Sequence, residues 1–315
     1  MGSLRVGVLI GLFGCATPPC EPVDDTVTIT GWFVSPTGVG DLAVVSVSSG
    51  QGWAAGSSGA AFTRDGGESW QTRSLGPVTG LHAEGNAAYV SDGDGLVRLD
   101  GSDGTPVGLT DSAVSLVAGR ADLVVAAGGT RCVSTNGTIF ACELGSALGA
   151  TDVFVGEVGA WVATSNAISA WTGSAWTDVP VAGPVAAVAF GGNRDEPPDA
   201  RGLAILDSGA VLRSTDAGGS WIPVEGAVAT GIRDLAVSDG VWWAVGDAGN
   251  VFRSTNDGET WIALADGAGP LVSVDTFQDS TMPNTQLIAA GAGGDTVVYG
   301  THVVEDTGGG WGDCP

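Results

Sequence analysis

An eight-residue pattern of Ser/Thr, any residue, Asp/Asn, any residue, Gly, two further residues and Trp recurs through this 315-residue chain and sets the scale of its fold. It reads TRDGGESW from Thr63, STDAGGSW from Ser214 and STNDGETW from Ser254, with a looser copy, VEDTGGGW, from Val304. Internal repeats of this spacing decide the architecture before any single strand is assigned. Short apolar strands ahead of Gly-rich turns give seven occurrences: GWAAG at Gly52, AAYVS at Ala87, LVVAA at Leu123, AWVAT at Ala160, GLAIL at Gly202, WWAVG at Trp242 and LIAAG at Leu287. Their starts are 35, 36, 37, 42, 40 and 45 residues apart. Such a period fits one four-stranded antiparallel sheet per repeat.

The sixth repeat shows the order of strands most plainly. IRDLAVSDG supplies an inner strand and turn, VWWAVGDAG a second, NVFRSTNDGET a third with the octet as its turn, and WIALAD the fourth. Apolar and polar residues alternate as they do in strands whose two faces meet different neighbours. With Gly at 53 of 315 positions and no amphipathic helical period, the expected fold is all-β, a seven-bladed β-propeller of four-stranded antiparallel blades spanning residues 26–315. The seventh repeat lacks a fourth strand, and TVTITGWFV from Thr26 is a spare one, so an N-terminal strand is expected to close the ring and cover its edges. Within each octet the Asp or Asn side chain is suited to accept backbone N–H bonds and close the turn. Gly supplies a positive φ, and the Trp is expected to swing back into the sheet.

The octet resembles the Asp-box, or bacterial neuraminidase repeat. GNVFRSTNDGETW is most similar to the photosystem II assembly and stability factor group of seven-bladed propellers. The resemblance implies a structural role, away from any active site, for Asp65, Gly67, Trp70, Asp216, Gly218, Trp221, Asn256, Gly258, Trp261, Asp306, Gly308 and Trp311. The second to fourth repeats, with RLDGSDGTPV, VSTNGTIFA and AWTGSAW, keep turn residues but lose much of the pattern. Asp-box propellers include sialidases, which would imply three carboxylate-gripping arginines, a Tyr nucleophile with a supporting Glu, and an Asp acid. The arginine-bearing motif near the amino end of those enzymes is absent, and Tyr89 and Tyr299, the only tyrosines, both fall within predicted strands.

The first residues, MGSLRVGVLIGLFGC, resemble a bacterial lipoprotein signal peptide, with Leu12 and Gly14 placed before Cys15 as in a lipobox. The resemblance implies a signal peptide over 1–14, lipidation of Cys15, a tether over 15–25 and export to the envelope, with Ala16 favouring the outer membrane. Four cysteines then remain for an oxidising compartment. Cys132 and Cys142 flank an Asn136-Gly137 turn, where a three-residue hairpin loop would set them face to face, leaving Cys20 and Cys314 to pair by elimination.

A formal net charge of −24, with all 11 basic residues Arg, opposes nucleic acid or an anionic membrane surface as partner. No cofactor and no metal is expected. His82 and His302 are the only histidines and lack neighbours at ligand spacing, and Asp92 and Asp94 in SDGDG read as a hairpin turn rather than a calcium loop. No nucleophile elbow or phosphate loop is present, and the loops expected on the ligand-bearing face are built from Gly, Ala, Ser and Pro. Arg98, Arg213 and Arg253 fall on comparable third strands and are the candidate contact residues, as the photosystem-related resemblance implies. Two insertions, Gly191–Arg201 and Phe277–Gln286, are expected to project from the octet face. The expected function is a monomeric, non-enzymatic, envelope-anchored scaffold that binds a protein or polymer. A sialidase-like glycan hydrolase and a structural envelope protein without ligand are the alternatives.

Overall fold

The computed structural model describes residues 26–48, 51–84, 87–92, 95–100, 107–110, 114–120, 122–143, 149–191, 199–265, 269–278, 285–291 and 293–305. Every regular element among them is a strand, and the strands form seven four-stranded sheets. Blades 1 to 6 are each four consecutive strands, spanning 42–73, 80–110, 114–142, 150–180, 185–227 and 232–265. Blade 7 combines Leu271–Gln278, Thr285–Gly291 and Asp295–Glu305 with Thr26–Pro36 at its outer edge. The chain end expected to close the ring therefore does so. Thr37 fastens the join, its N–H and its hydroxyl both reaching the Gly294 carbonyl, at 3.3 and 2.7 Å. Residues Thr30–Thr301 form one compact unit, and the strand ends Thr26–Ile29 and His302–Glu305 fall in a second.

The inner strands are Leu42–Ser48, Gly80–Glu84, Val114–Arg120, Ala150–Val155, Val185–Gly191, Ile232–Ser238 and Leu271–Gln278. Each packs against the next in chain order, and the seventh meets the first. They surround a channel of about 920 Å³. In six blades the inner strand carries a register shift at its second residue, as at Leu42/Val44 and Ile232/Asp234, while blade 2 pairs without one. A bulge of this kind increases local twist.

The core is not one body but seven apolar layers, one between each pair of neighbouring blades. Val45, Ala54, Ile288 and Val298 fill the layer between blades 7 and 1, and Trp53, Phe62, Leu81 and Leu99 the next. Both faces of a second strand are therefore covered, which explains why GWAAG or LVVAAG is apolar throughout rather than alternating. In blades 1, 2, 4 and 6 the second strand turns a large aromatic residue, Trp53, Tyr89, Trp161 and Trp243, toward the following blade. Between blades 4 and 5 the Trp161 indole stacks on Phe190 at 3.7 Å.

Cys132 and Cys142 lie directly opposite each other across the outer strands of blade 3 and form a disulfide. The connection differs from the three-residue hairpin that the sequence suggests, since the last strand pair is Val133 with Ala141. The reason is that Asn136 Oδ1 accepts from the Thr138 and Ile139 N–H groups at 3.0 and 2.9 Å, organising a wider turn. The fourth strand here is only Ala141–Cys142, so the covalent link replaces most of a hydrogen-bonded ladder. Reducing the protein, or replacing both cysteines by Ser, is expected to cost about 2–3 kcal/mol for a loop of this length. Urea unfolding with and without reductant measures it; an unchanged midpoint in wild type would show that the link contributes nothing.

Candidate functional site

The three complete octets share one hydrogen-bond plan. In blade 5, Ser214 Oγ donates to Asp216 Oδ1 at 2.8 Å and accepts from Gly218 N–H at 2.8 Å. Asp216 then accepts from the Ser220 N–H at 2.9 Å and from the Ser220 hydroxyl at 2.7 Å. Thr63, Asp65, Gly67 and Ser69 repeat the plan in blade 1, and Ser254, Asn256, Gly258 and Thr260 in blade 6. Hydrogen bonds from Ser220 hold Asp216 below the usual carboxylate range. At Asp65 burial acts upward, but the bonds from Ser69 and Thr63 outweigh it and the net shift is downward. Asn256 does the same work with a neutral amide, so the position needs an acceptor rather than an acid. Each carboxylate is consumed by its own turn.

Gly218 has φ +85°, and a Cβ there would lie 2.6 Å from the Trp161 Nε1 of blade 4. Gly67 meets Ile288 of blade 7, and Gly258 meets Val211 of blade 5, in the same way. The octet is thus a turn pressed against the preceding blade. Its indoles differ from the buried position expected of them: Trp70, Trp221 and Trp261 are half-buried. They lie along the layer shared with the preceding blade, and Trp70 and Trp261 close back by donating from Nε1 to the Gly67 and Gly258 carbonyls at 3.1 Å. The fourth octet, with Asp306, Gly308 and Trp311, lies outside the described residues, as do Cys15, Cys20, Cys314 and Asp94.

The channel contains a feature that the loops did not suggest. Asp152, Asp234 and Asp275 stand on the inner strands of blades 4, 6 and 7 and reach across to the next blade. Asp152 Oδ2 accepts from Val188 N–H at 2.7 Å, Asp234 Oδ2 from Val274 N–H at 2.8 Å, and Asp275 Oδ2 from Val47 N–H at 2.8 Å. The other oxygen of each accepts from the following residue of its own strand, at 2.8, 2.7 and 2.8 Å. An inner strand is a sheet edge, and its channel-side N–H groups need partners. These acids and two serines, Ser46 and Ser273, supply them. Each acid keeps part of its surface toward the channel but is enclosed by protein on its other sides. Burial pushes all three upward: Asp275 to about 7, Asp234 to about 6, and Asp152 well above the ordinary value, with the Asp234 charge adding to it. A signal was present in the sequence, because Asp152 and Asp234 occupy the residue just after the inner-strand register shift, where Ser273 stands in blade 7.

The candidate arginines occupy one register. Arg98, Arg213 and Arg253 lie opposite Tyr89, Leu203 and Trp243 on the second strand and opposite Val107, Ile222 and Ile262 on the fourth. Those three aliphatic residues are exposed. Blades 5 and 6 are neighbours; blade 2 is separate, so the three do not form one cluster. Arg213 pairs with Glu259 of the next octet at 3.3 Å, Arg98 with Asp100 at 2.9 Å, and Arg253 lies over the Trp243 ring at 5.6 Å. A fourth third-strand arginine, Arg131, escaped the sequence reading. It is buried between Glu143, at 2.8 Å, and Asp178 of blade 4, at 3.1 Å, with its guanidinium 4.8 Å from the Trp176 ring centre.

Tyr89 is buried with its hydroxyl against Gly137, and Tyr299 is a strand residue opposite Leu287. His82 packs beside Tyr89, and burial lowers its imidazole to about 4. His302 lies in the strand Asp295–Glu305. Asp92 accepts from Gly95 N–H at 3.0 Å, as a turn residue does. Among the described residues no group of three His, Cys, Asp or Glu side chains is arranged to hold a metal. Of the two insertions, residues 192–198 and 279–284 lie outside the described residues. Asp199, at the end of the first, is buried and accepts from Val158 N–H of blade 4 at 2.7 Å.

No protein-family profile matches the chain, and no curated protein matches it. Solved structures do. A structure of YCF48 bound to D1 peptide is similar over 90% of this chain and 99% of its own, with 15% identity and a TM-score of 0.66. YCF48 from Cyanidioschyzon merolae is similar over 85% and 98%, with 17% identity and a TM-score of 0.65. The WD40 β-propeller domain of Doa1 is similar over 89% and 99%, with 12% identity and a TM-score of 0.66. At these identities the likeness is one of fold: the chain is a seven-bladed β-propeller.

Proposed function

We propose that this chain is a non-enzymatic lipoprotein of the bacterial envelope whose propeller is a binding scaffold for a protein segment or polymer. The observation that carries the scaffold reading is the state of the channel acids. Each oxygen of Asp152, Asp234 and Asp275 accepts from a backbone N–H, which supports a role for these groups in holding the ring together. What the outer strands offer instead is an arginine beside an exposed aliphatic residue, repeated as Arg98 with Val107, Arg213 with Ile222 and Arg253 with Ile262, where a ligand carboxylate would exchange with Asp100 at Arg98 and with Glu259 at Arg213. Such pairs suit an extended segment that carries acidic and apolar side chains. A propeller of the same architecture with a bound peptide, YCF48 with D1 peptide, supports that class of ligand. Fold alone does not assign function. The lipobox-like LFGC and the apolar run before it support an anchor at Cys15.

The test compares wild-type protein with an Arg213→Glu/Arg253→Glu variant as bait for detergent-solubilised envelope from the source cells, alongside glycan-hydrolysis assays of the purified protein. A partner retained by wild type and lost by the variant is the expected result. Identical captured proteins in both samples remove the arginine contact, and robust glycan cleavage removes the non-enzymatic reading. Mass analysis of the mature protein is expected to find acyl chains on Cys15; a free thiol there refutes the anchor.

A further inference from the structure

The caps on the channel-side N–H groups join into a belt at the place where the ring closes. Ala83 N–H of blade 2 donates to Ser46 Oγ of blade 1 at 3.0 Å. Asp275 of blade 7 receives Val47 N–H of blade 1. One step along, Val45 N–H of blade 1 donates to Ser273 Oγ of blade 7 at 3.3 Å, and the Ser273 hydroxyl donates to Asp234 of blade 6 at 2.9 Å. Blades 6, 7 and 1 are thereby tied by two carboxyl groups, and Ser46 extends the series to blade 2. Among the described residues the rest of the ring has one such carboxyl cap, Asp152 to Val188, and the inner strand Val114–Arg120 of blade 3 carries no acid.

Little positive charge faces the belt. The inner strand of blade 5 lines the channel with Val185, Ala186 and Val188, none of them charged, and blade 1 meets Asp275 with the Val47 N–H. Like charge comes from the neighbouring Asp of the pair and from Asp152. Of the arginines lining the channel, Arg120 is engaged by Asp122 and the Gly156 carbonyl, and Arg233 by Asp247. Glu84 and Asp207 add negative charge to the lining, and the buried His82 imidazole is neutral near pH 7.

We propose that the belt makes the ring-closing seam a pH-responsive clasp, firm when Asp275 and Asp234 carry protons and loosened when both are ionised. Protonation leaves the backbone bonds in place, since a carboxyl oxygen has a second lone pair available on the channel side. It removes two like charges from a poorly solvated site. The direction follows from linkage. The folded-state values, raised above the ordinary 3.8 to about 7 and about 6, mean that the closed ring binds more protons than the opened one. The stability these groups contribute is therefore full near and below pH 3.8 and is lost as pH rises through 6 and 7.

Amide hydrogen exchange of the whole mature protein at pH 5.5 and 8.5, corrected for intrinsic rates, tests this. The net charge of −24 acts on the whole ring at high pH, so the quantity to read is protection in Leu42–Ser48 and Leu271–Gln278 relative to Val114–Arg120. That ratio is expected to fall by about tenfold or more between the two conditions. Asp275→Asn and Asp234→Asn, which keep an oxygen acceptor without an ionisable group, are each expected to flatten the response. A wild-type ratio that does not change with pH overturns the proposal, as does an unaltered response in either variant that folds. If neither variant folds, the wild-type ratio decides alone.

Discussion

Replacing Trp161 by Ala is expected to destabilise the protein by about 4 kcal/mol, the largest effect of any single side chain in the layer between blades 4 and 5. The indole is 2% exposed, stacks on Phe190 at 3.7 Å and donates from Nε1 to the Ala217 carbonyl at 3.0 Å. Removing it opens a cavity in a layer one side chain thick, where neighbours anchored in two different sheets have little freedom to collapse inward. Equilibrium urea unfolding reads the change directly. A loss below about 1 kcal/mol would mean that the indole is not the packed centre of this interface.

Gly218→Ala is expected to cost about 3 kcal/mol for two separable reasons. The φ of +85° costs a non-glycine residue about 1 kcal/mol, and the new methyl group, 2.6 Å from Trp161 Nε1, adds an overpacking cost of about 2 kcal/mol. The second contribution exists only while the indole is present. In a Trp161→Ala background the same substitution should therefore cost about 1 kcal/mol, a coupling of about 2 kcal/mol in a double-mutant cycle. Strictly additive losses would show that the octet turn and the preceding blade are not in contact, and would remove the account of why Gly stands there.

Local chemistry was legible and cross-blade chemistry was not. Strand spacing, the octet turns and the spare strand from Thr26 could be read because each depends on residues close in sequence or on a repeat count. The facing cysteines could be read too, although Asn136 builds a wider turn around them than a tight hairpin. The acids at 152, 234 and 275 were passed over because TDVFV, IRDLAV and VSVDTF look like ordinary half-buried strands. Their partners, the N–H groups of Val188, Val274 and Val47, become evident only when the next sheet is in place. Arg131 was missed for the same reason, since its second acid, Asp178, comes from another blade. Arg213 looked available in sequence, yet Glu259, 46 residues on, meets it. The octet indoles were assigned too much burial because a turn at the rim has a neighbour on one side and solvent on the other.

The strand Thr26–Pro36 has its hydrogen-bonding partner in Asp295–Glu305, near the opposite end of the chain. Nearly the whole propeller separates the two in sequence, so during synthesis it finds no mate until the last blade has been made. Its early exposure is a hazard that the other outer strands, which follow their partners within a few residues, do not share. Closure of the ring therefore has to wait for the last blade, and a chain lacking either strand is expected to be left with an orphaned one that seeks a partner on another molecule.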